Sequence, residues 1–207
     1  MAGNIDLRTI FQTVTENLTE QKESLNEADT YNHDHGDHMV QIFDLIQSAV
    51  TKKSDKPISE QLEYASEVVK KQADSGSAKL YADGLSKAAS NLTGSDLNPN
   101  TISTLVKSLL NVEEPETSSK TSSGIGSLLS GFLGGSDSDS GENGFGVDDL
   151  LQAGLAFFQS KQNGDSNSEA VMNAMLAASP LGQSASRSQS GALIASTIMG
   201  FIQKPSK

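Results

Sequence analysis

Apolar residues in this chain recur at helical rather than strand spacing, and that periodicity constrains the fold class before any other feature. Ile5, Leu7, Ile10, Phe11, Val14 and Leu18 predict an amphipathic helix over residues 5–23, and Met39, Ile42, Phe43, Leu45, Ile46 and Val50 a second over 37–53. Within SDKPISEQ, Pro57 suits a first helical turn, and Ile58, Leu62, Ala65, Val68 and Val69 carry a third helix to Gln72. Asp74, Ser75, Gly76 and Ser77 interrupt the pattern. It resumes through Leu80, Tyr81, Gly84, Leu85 and Ala88 and ends at Thr93 and Gly94. SDLNPN reads as a turn, after which Ile102, Leu105, Val106, Leu109 and Leu110 predict a fifth helix.

Residues 113–146 change character. EEPETSSKTSS is a polar linker, GIGSLLSGFLGG a short apolar island whose Leu128, Leu129, Phe132 and Leu133 are able to dock as a helix, and SDSDSGENGFG an acidic spacer. This composition predicts a flexible insertion. Helical spacing returns in Leu150, Leu151, Leu155, Phe157 and Phe158, again in Ala170, Val171, Ala174, Met175 and Leu176, and finally in Ala192, Leu193, Ile194, Ile198, Met199, Phe201 and Ile202; Ser179 to Ser190 reads as a Ser-rich loop. About nine helical segments with mostly short connections predict an all-α, antiparallel bundle forming one domain over residues 1–207. With no Trp and only 5% aromatics, the core must be aliphatic, which suits packed helices better than a β-sandwich.

A formal net charge of −11 argues against nucleic acid and anionic membrane surfaces, both of which would repel the chain. No stretch approaches the roughly 20 apolar residues of a membrane span, and MAGNIDLRTIFQ lacks the charged and apolar segments of a signal peptide. A cytoplasmic protein is expected, and a homodimer is allowed. The absence of cysteine removes disulfides and thiolate metal sites from consideration.

Chemistry is concentrated in LNEADTYNHDHGDHM, residues 25–39, where all three histidines (His33, His35, His38) fall within six residues beside Asp34 and Asp37, with Glu27 and Asp29 just upstream. Such a cluster must either be well solvated or hold a cation. It precedes an apolar helix, and a helix start attracts phosphate while nearby carboxylates hold the divalent cation that phosphate brings. A nucleotide and metal site is one reading; a solvated polar loop with an Asp N-cap is the plain alternative. A third is a transition-metal site in which His35 and His38, at i and i+3, face one zinc ion with Asp34.

Three stretches together resemble the nucleotide-binding L subunit of dihydroxyacetone kinases, also known as the dihydroxyacetone kinase phosphatase-domain family. Its signature is an Asp followed by GDGDHG and Asn-Met. Asp29 stands at the leading Asp, and Asp34, His35, Gly36 and Met39 at the DHG and Met positions. ADSGSAKLY, ending at Tyr81, is similar to the family's Ser-Gly loop that touches nucleotide, and SPLGQSASRSQSGALIAST is similar to its SYLGERS…DPGATS segment at Ser179, Leu181, Gly182, Gly191 and Ala192. The resemblance implies a closed antiparallel barrel of about eight amphipathic helices in which three carboxylates chelate two magnesium ions that clamp ATP or ADP.

By that resemblance the metal ligands would be Asp29, Asn32 at the middle Asp position, and Asp34, with Asp37 supplying a carboxylate one turn further on. Triphosphate would lie against the helix starting at His35 and Gly36, cradled by Ser75, Gly76 and Ser77 and by the glycines Gly182 and Gly191. Arg187, the only arginine in the second half of the chain, is the candidate for pairing with the transferred phosphate. Catalysis would rest on positioning and charge neutralisation, with the acceptor substrate held by a partner protein. The chain departs from the family where Asn32 and His33 replace glycine-flanked positions, where Ser190 replaces an acid and where Gln183 does the same. A family member that keeps the barrel but serves only as a binding or regulatory module fits the same motifs.

Overall fold

The computed structural model describes residues 6–111, 179 and 184–203. The expected insertion at 113–146, the helices expected between residues 147 and 176, and Gly182 lie outside the described residues. Those described form seven helices and no strand: α1 (Leu7–Glu20), α2 (Lys22–Ala28), α3 (His35–Lys52), α4 (Ile58–Gln72), α5 (Gly76–Asn91), α6 (Pro99–Leu109) and α7 (Ala185–Gln203). No described helix is long and apolar enough to cross a membrane.

The helix starts follow local chemistry. The Asp6 carboxylate accepts the Thr9 N–H at 2.7 Å, Ser75 Oγ accepts from Ala78, and Asn98 and Thr101 form a reciprocal capping box around Pro99. The first expected helix breaks at Gln21, and the chain restarts immediately as α2 instead of entering a loop. Leu25 lies seven residues after Leu18, so it returns to the same face. It is fully buried and anchors α2 against α3. The last helix begins at Ala185, inside the expected Ser-rich loop. Its inward face runs Ser186, Ser190, Ile194 and Ile198, all buried, so the stripe that orders its first turns is made of serine and carries no apolar signal.

Packing proceeds from neighbour to neighbour: α1 on α3, α3 on α4, α4 on α5, α5 on α6, α6 on α7 and α7 on α1. The α5 and α6 backbones approach closely at Gly84, where a Cβ would stand 2.7 Å from the Ser108 carbonyl oxygen. The interior is aliphatic apart from an aromatic run. Phe11 of α1 meets Phe43 of α3 at a ring separation of 6.3 Å, and Phe43 and Tyr81 of α5 form a T-shaped pair at 5.2 Å. Such pairs add about 0.5–1.5 kcal/mol beyond the area they bury. The run also carries one phenol hydroxyl from the apolar core to the helix starts where the candidate site lies.

Candidate functional site

The acid and histidine stretch is a loop between α2 and α3, held down by one side chain. Oδ1 of Asn26, on α2, accepts the N–H groups of Gly36 at 2.7 Å and Asp37 at 3.3 Å, and so caps α3 from another helix. Asp34 occupies the N-cap position but makes no side-chain cap. The cross-cap needs Gly36. A Cβ there would overlap the Lys22 carbonyl oxygen and stand 2.8 Å from Asn26 Oδ1. Within the loop, His33 takes the left-handed conformation with φ 59°, which costs a non-glycine residue about 1–2 kcal/mol. Its Nδ1 lies 3.2 Å from the Asn26 carbonyl oxygen, a contact that helps to hold the conformation.

The carboxylates of the loop are each engaged locally. Asp29 accepts the Tyr31 N–H at 3.2 Å, and this bond, with lesser help from the Asp34 N–H and from His35 and His33, holds its carboxyl below the usual range. Asp34 accepts from the Asn32 amide at 2.9 Å and lies 3.1 Å from His38 Nδ1. Asp37 is turned toward α2. The Asn26 amide at 2.9 Å and the Lys22 ammonium at 3.1 Å both lower its pKa. Of the expected metal ligands, Asn32 and Asp34 are therefore in direct contact, while Asp37 faces Lys22. Among the described residues no group of three or more His, Asp or Glu side chains is arranged to hold a cation. His38 and Asp34 meet, whereas His35 bonds inward to another helix.

That inward bond begins the second half of the site. His35 is buried, and its Nε2 lies 3.0 Å from Oγ of Ser190, which is fully buried on α7. Ser190 also donates to the Arg187 carbonyl oxygen at 3.1 Å. Its single proton being used there, the arrangement that satisfies both contacts has His35 Nε2–H donating and Nδ1 unprotonated. Burial lowers the His35 pKa; the Asp29 carboxylate opposes this and the Arg187 guanidinium adds to it. Lowered from 6.5, the imidazole is neutral at pH 7, and as the Nε2–H tautomer it satisfies both contacts.

Arg187 is the link to α5. Its Nη2 stands 2.7 Å from the point a Cβ on Gly76 would occupy, so the guanidinium rests on the first residue of that helix. A cation at a helix N-terminus is electrostatically disfavoured. Among the described residues no carboxylate pairs with Arg187. Ser77, Ser186 and Ser190 are buried around this junction. Ser75 spends its hydroxyl on capping α5, and Gly191 follows Ser190 on the buried side of α7. The starts of α3, α5 and α7, which carry His35, Gly76 and Arg187, thus meet at one place. The sequence-predicted Gly36, Ser75, Gly76, Ser77 and Arg187 all belong to these three helix starts.

Two participants are not evident from the motifs. Asn26, the cross-helix cap, gives no sequence signal of its role. Tyr81 reads only as a core residue, although Ser77 and Tyr81 share one helical face, as do Ser186 and Ser190, and this pairing of small polar residues is the available clue. No protein-family model matches this sequence, and no curated protein or solved structure is significantly similar to it.

Proposed function

We propose that this domain binds ATP or ADP, with magnesium, by placing the phosphates where α3, α5 and α7 begin. In this reading it transfers the terminal phosphoryl group to an acceptor held by a partner protein, as the resemblance to the L subunit of dihydroxyacetone kinase implies. The observation that carries the reading is Arg187. A guanidinium that rests on the start of α5 beside a neutral imidazole, with no carboxylate partner among the described residues, leaves a local excess of positive potential that an oxyanion would relieve. The succession of helix contacts, which runs from α1 through α3 to α7 and returns to α1, supports the antiparallel closed barrel of that family as the full architecture.

One observation favours the second reading, a binding or regulatory module without phosphoryl transfer. Asp37, one of the expected metal ligands, sits against the Lys22 ammonium, which already supplies the cationic company that magnesium would provide, and Asp34 lies against His38 Nδ1. Titration calorimetry with Mg-ATP and Mg-ADP on the wild type and on Arg187→Ala tests the proposal. Binding by the wild type, weakened tenfold or more in the variant, is expected from the loss of a charge-assisted contact worth about 1.5–3 kcal/mol. No heat at millimolar nucleotide would overturn it. Binding without nucleotide turnover in the presence of candidate acceptors would select the second reading. Stabilisation by zinc alone would select the histidine metal site instead.

A further inference from the structure

The phenol of Tyr81 is fully buried, and its oxygen has no hydrogen-bond partner. Among the described residues it is the one buried side-chain polar atom in that condition. Buried hydroxyls are otherwise satisfied in folded proteins, because a lost water partner that is not replaced costs stability. The ring itself packs against Phe43 in a T-shaped contact at 5.2 Å, inside the core. Its surroundings are the polar end of the core. Ser190 and Arg187 both act on it in the sense that favours negative charge on oxygen, against the burial that pushes its pKa well above the ordinary value. Ser190 is close enough to act on the phenol, but its proton is on the Arg187 carbonyl and it accepts from His35, and the two hydroxyls do not complete a hydrogen bond.

The geometry points to Tyr81 as an anion-binding residue of the site, its hydroxyl donating to an oxyanion that also engages Arg187 and the N–H groups at the start of α5. The inference rests on the phosphate reading given above and adds to it a residue that no motif marks. Its chemistry is that of a donor set. The Tyr81 hydroxyl, the Arg187 guanidinium and the first N–H groups of α5 all donate, and no described acid is paired with the cation. A phosphate oxygen supplies the missing acceptor. The Arg187 guanidinium rests on Gly76, five residues before Tyr81 on the same helix. Leaving the hydroxyl unsatisfied in the free protein reserves a donor for the ligand.

Tyr81→Phe tests this directly, because it removes one oxygen and keeps the ring against Phe43. The free variant should be as stable as the wild type or more stable in urea, since an unsatisfied group is removed. The affinity for inorganic phosphate and for Mg-ADP, measured by calorimetry, should fall about tenfold. A free variant less stable than the wild type would show that the hydroxyl is structural and would overturn the inference. So would unchanged affinity for the probes in a variant whose wild type binds them, and in that case the phosphate site itself would stand. If the wild type binds neither probe at millimolar concentration, the inference and the functional reading fall together.

Discussion

Nε2 of His35 and Oγ of Ser190 meet at 3.0 Å across 155 positions of the chain, and both groups are buried. This one contact fixes the start of α3 against the first turns of α7. It also requires a proton on Nε2 of the imidazole, because Ser190 has already committed its own proton to the Arg187 carbonyl. A charged histidine at this position would lose part of its hydration with no described carboxylate in direct contact to compensate it.

The pH dependence of stability follows with a definite sign. The unfolded chain takes up a proton at His35 near the ordinary value of 6.5, whereas the folded chain resists until lower pH. Between those two values the unfolded state binds more protons, so stability is fully present above 6.5 and declines as pH falls below it. His35→Gln, which stays neutral and can still donate to Ser190, should flatten the urea midpoint between pH 6.5 and 5. Asp29 and Asp37 act in a separate window. Their folded pKa values are lowered from 3.8, so the stability they contribute is present above that value and is lost as pH falls through the lower, folded values.

Gly36→Ala should destabilise the fold by about 1–3 kcal/mol, since the added methyl meets the backbone of α2 at Lys22, which cannot yield as a flexible side chain would. Asn26→Ala removes the cross-helix cap instead and should cost about 1–2 kcal/mol. Denaturant titrations of the two single variants and the double variant would show whether they report one junction. Non-additive losses are expected, and additive ones would place Gly36 and Asn26 in independent roles.

Gly76→Ala should separate binding from stability. The new methyl encounters only the mobile end of Arg187, and the position lies in a helix, where alanine is favoured over glycine by up to about 1 kcal/mol. A melting temperature equal to or above that of the wild type is expected, together with weaker Mg-ADP binding because the guanidinium is displaced. Unchanged affinity would detach Gly76 from the site.

At Gly84 the same substitution should behave in the opposite way. A methyl there would lie 2.7 Å from the Ser108 carbonyl oxygen and 2.9 Å from Leu109 Cα, both backbone atoms of the neighbouring helix. A loss of about 1–3 kcal/mol despite the better helix propensity is expected from overpacking, read as a lowered urea midpoint. A stabilised Gly84→Ala would mean that α5 and α6 do not approach as described.

Helix positions were largely legible in the residues, because burial of a stripe imposes a period that apolar side chains display openly. Leu62, Ala65 and Val69 mark α4, and Ile102, Leu105 and Leu109 mark α6, all buried as their spacing requires. The start of α7 was not legible, because Ser186 and Ser190 fill its inward face and serine carries no hydropathic signal for burial. The division of the first helix at Gln21 was hidden for a related reason: Leu25 keeps the phase of Leu18 although the chain between them breaks.

At the candidate site, the sequence by itself determined which residue types are available: the histidines and acids before α3, the serines and glycine at α5, and one arginine at α7. It could not determine which of them meet. Only the tertiary structure turned Asp37 toward Lys22, set Arg187 on Gly76, joined His35 to Ser190 and left the Tyr81 hydroxyl without a partner. The reason is physical. Periodicity and capping act within a few residues along the chain, whereas pairing between helix starts depends on how the apolar faces pack, and that packing sums over the whole core.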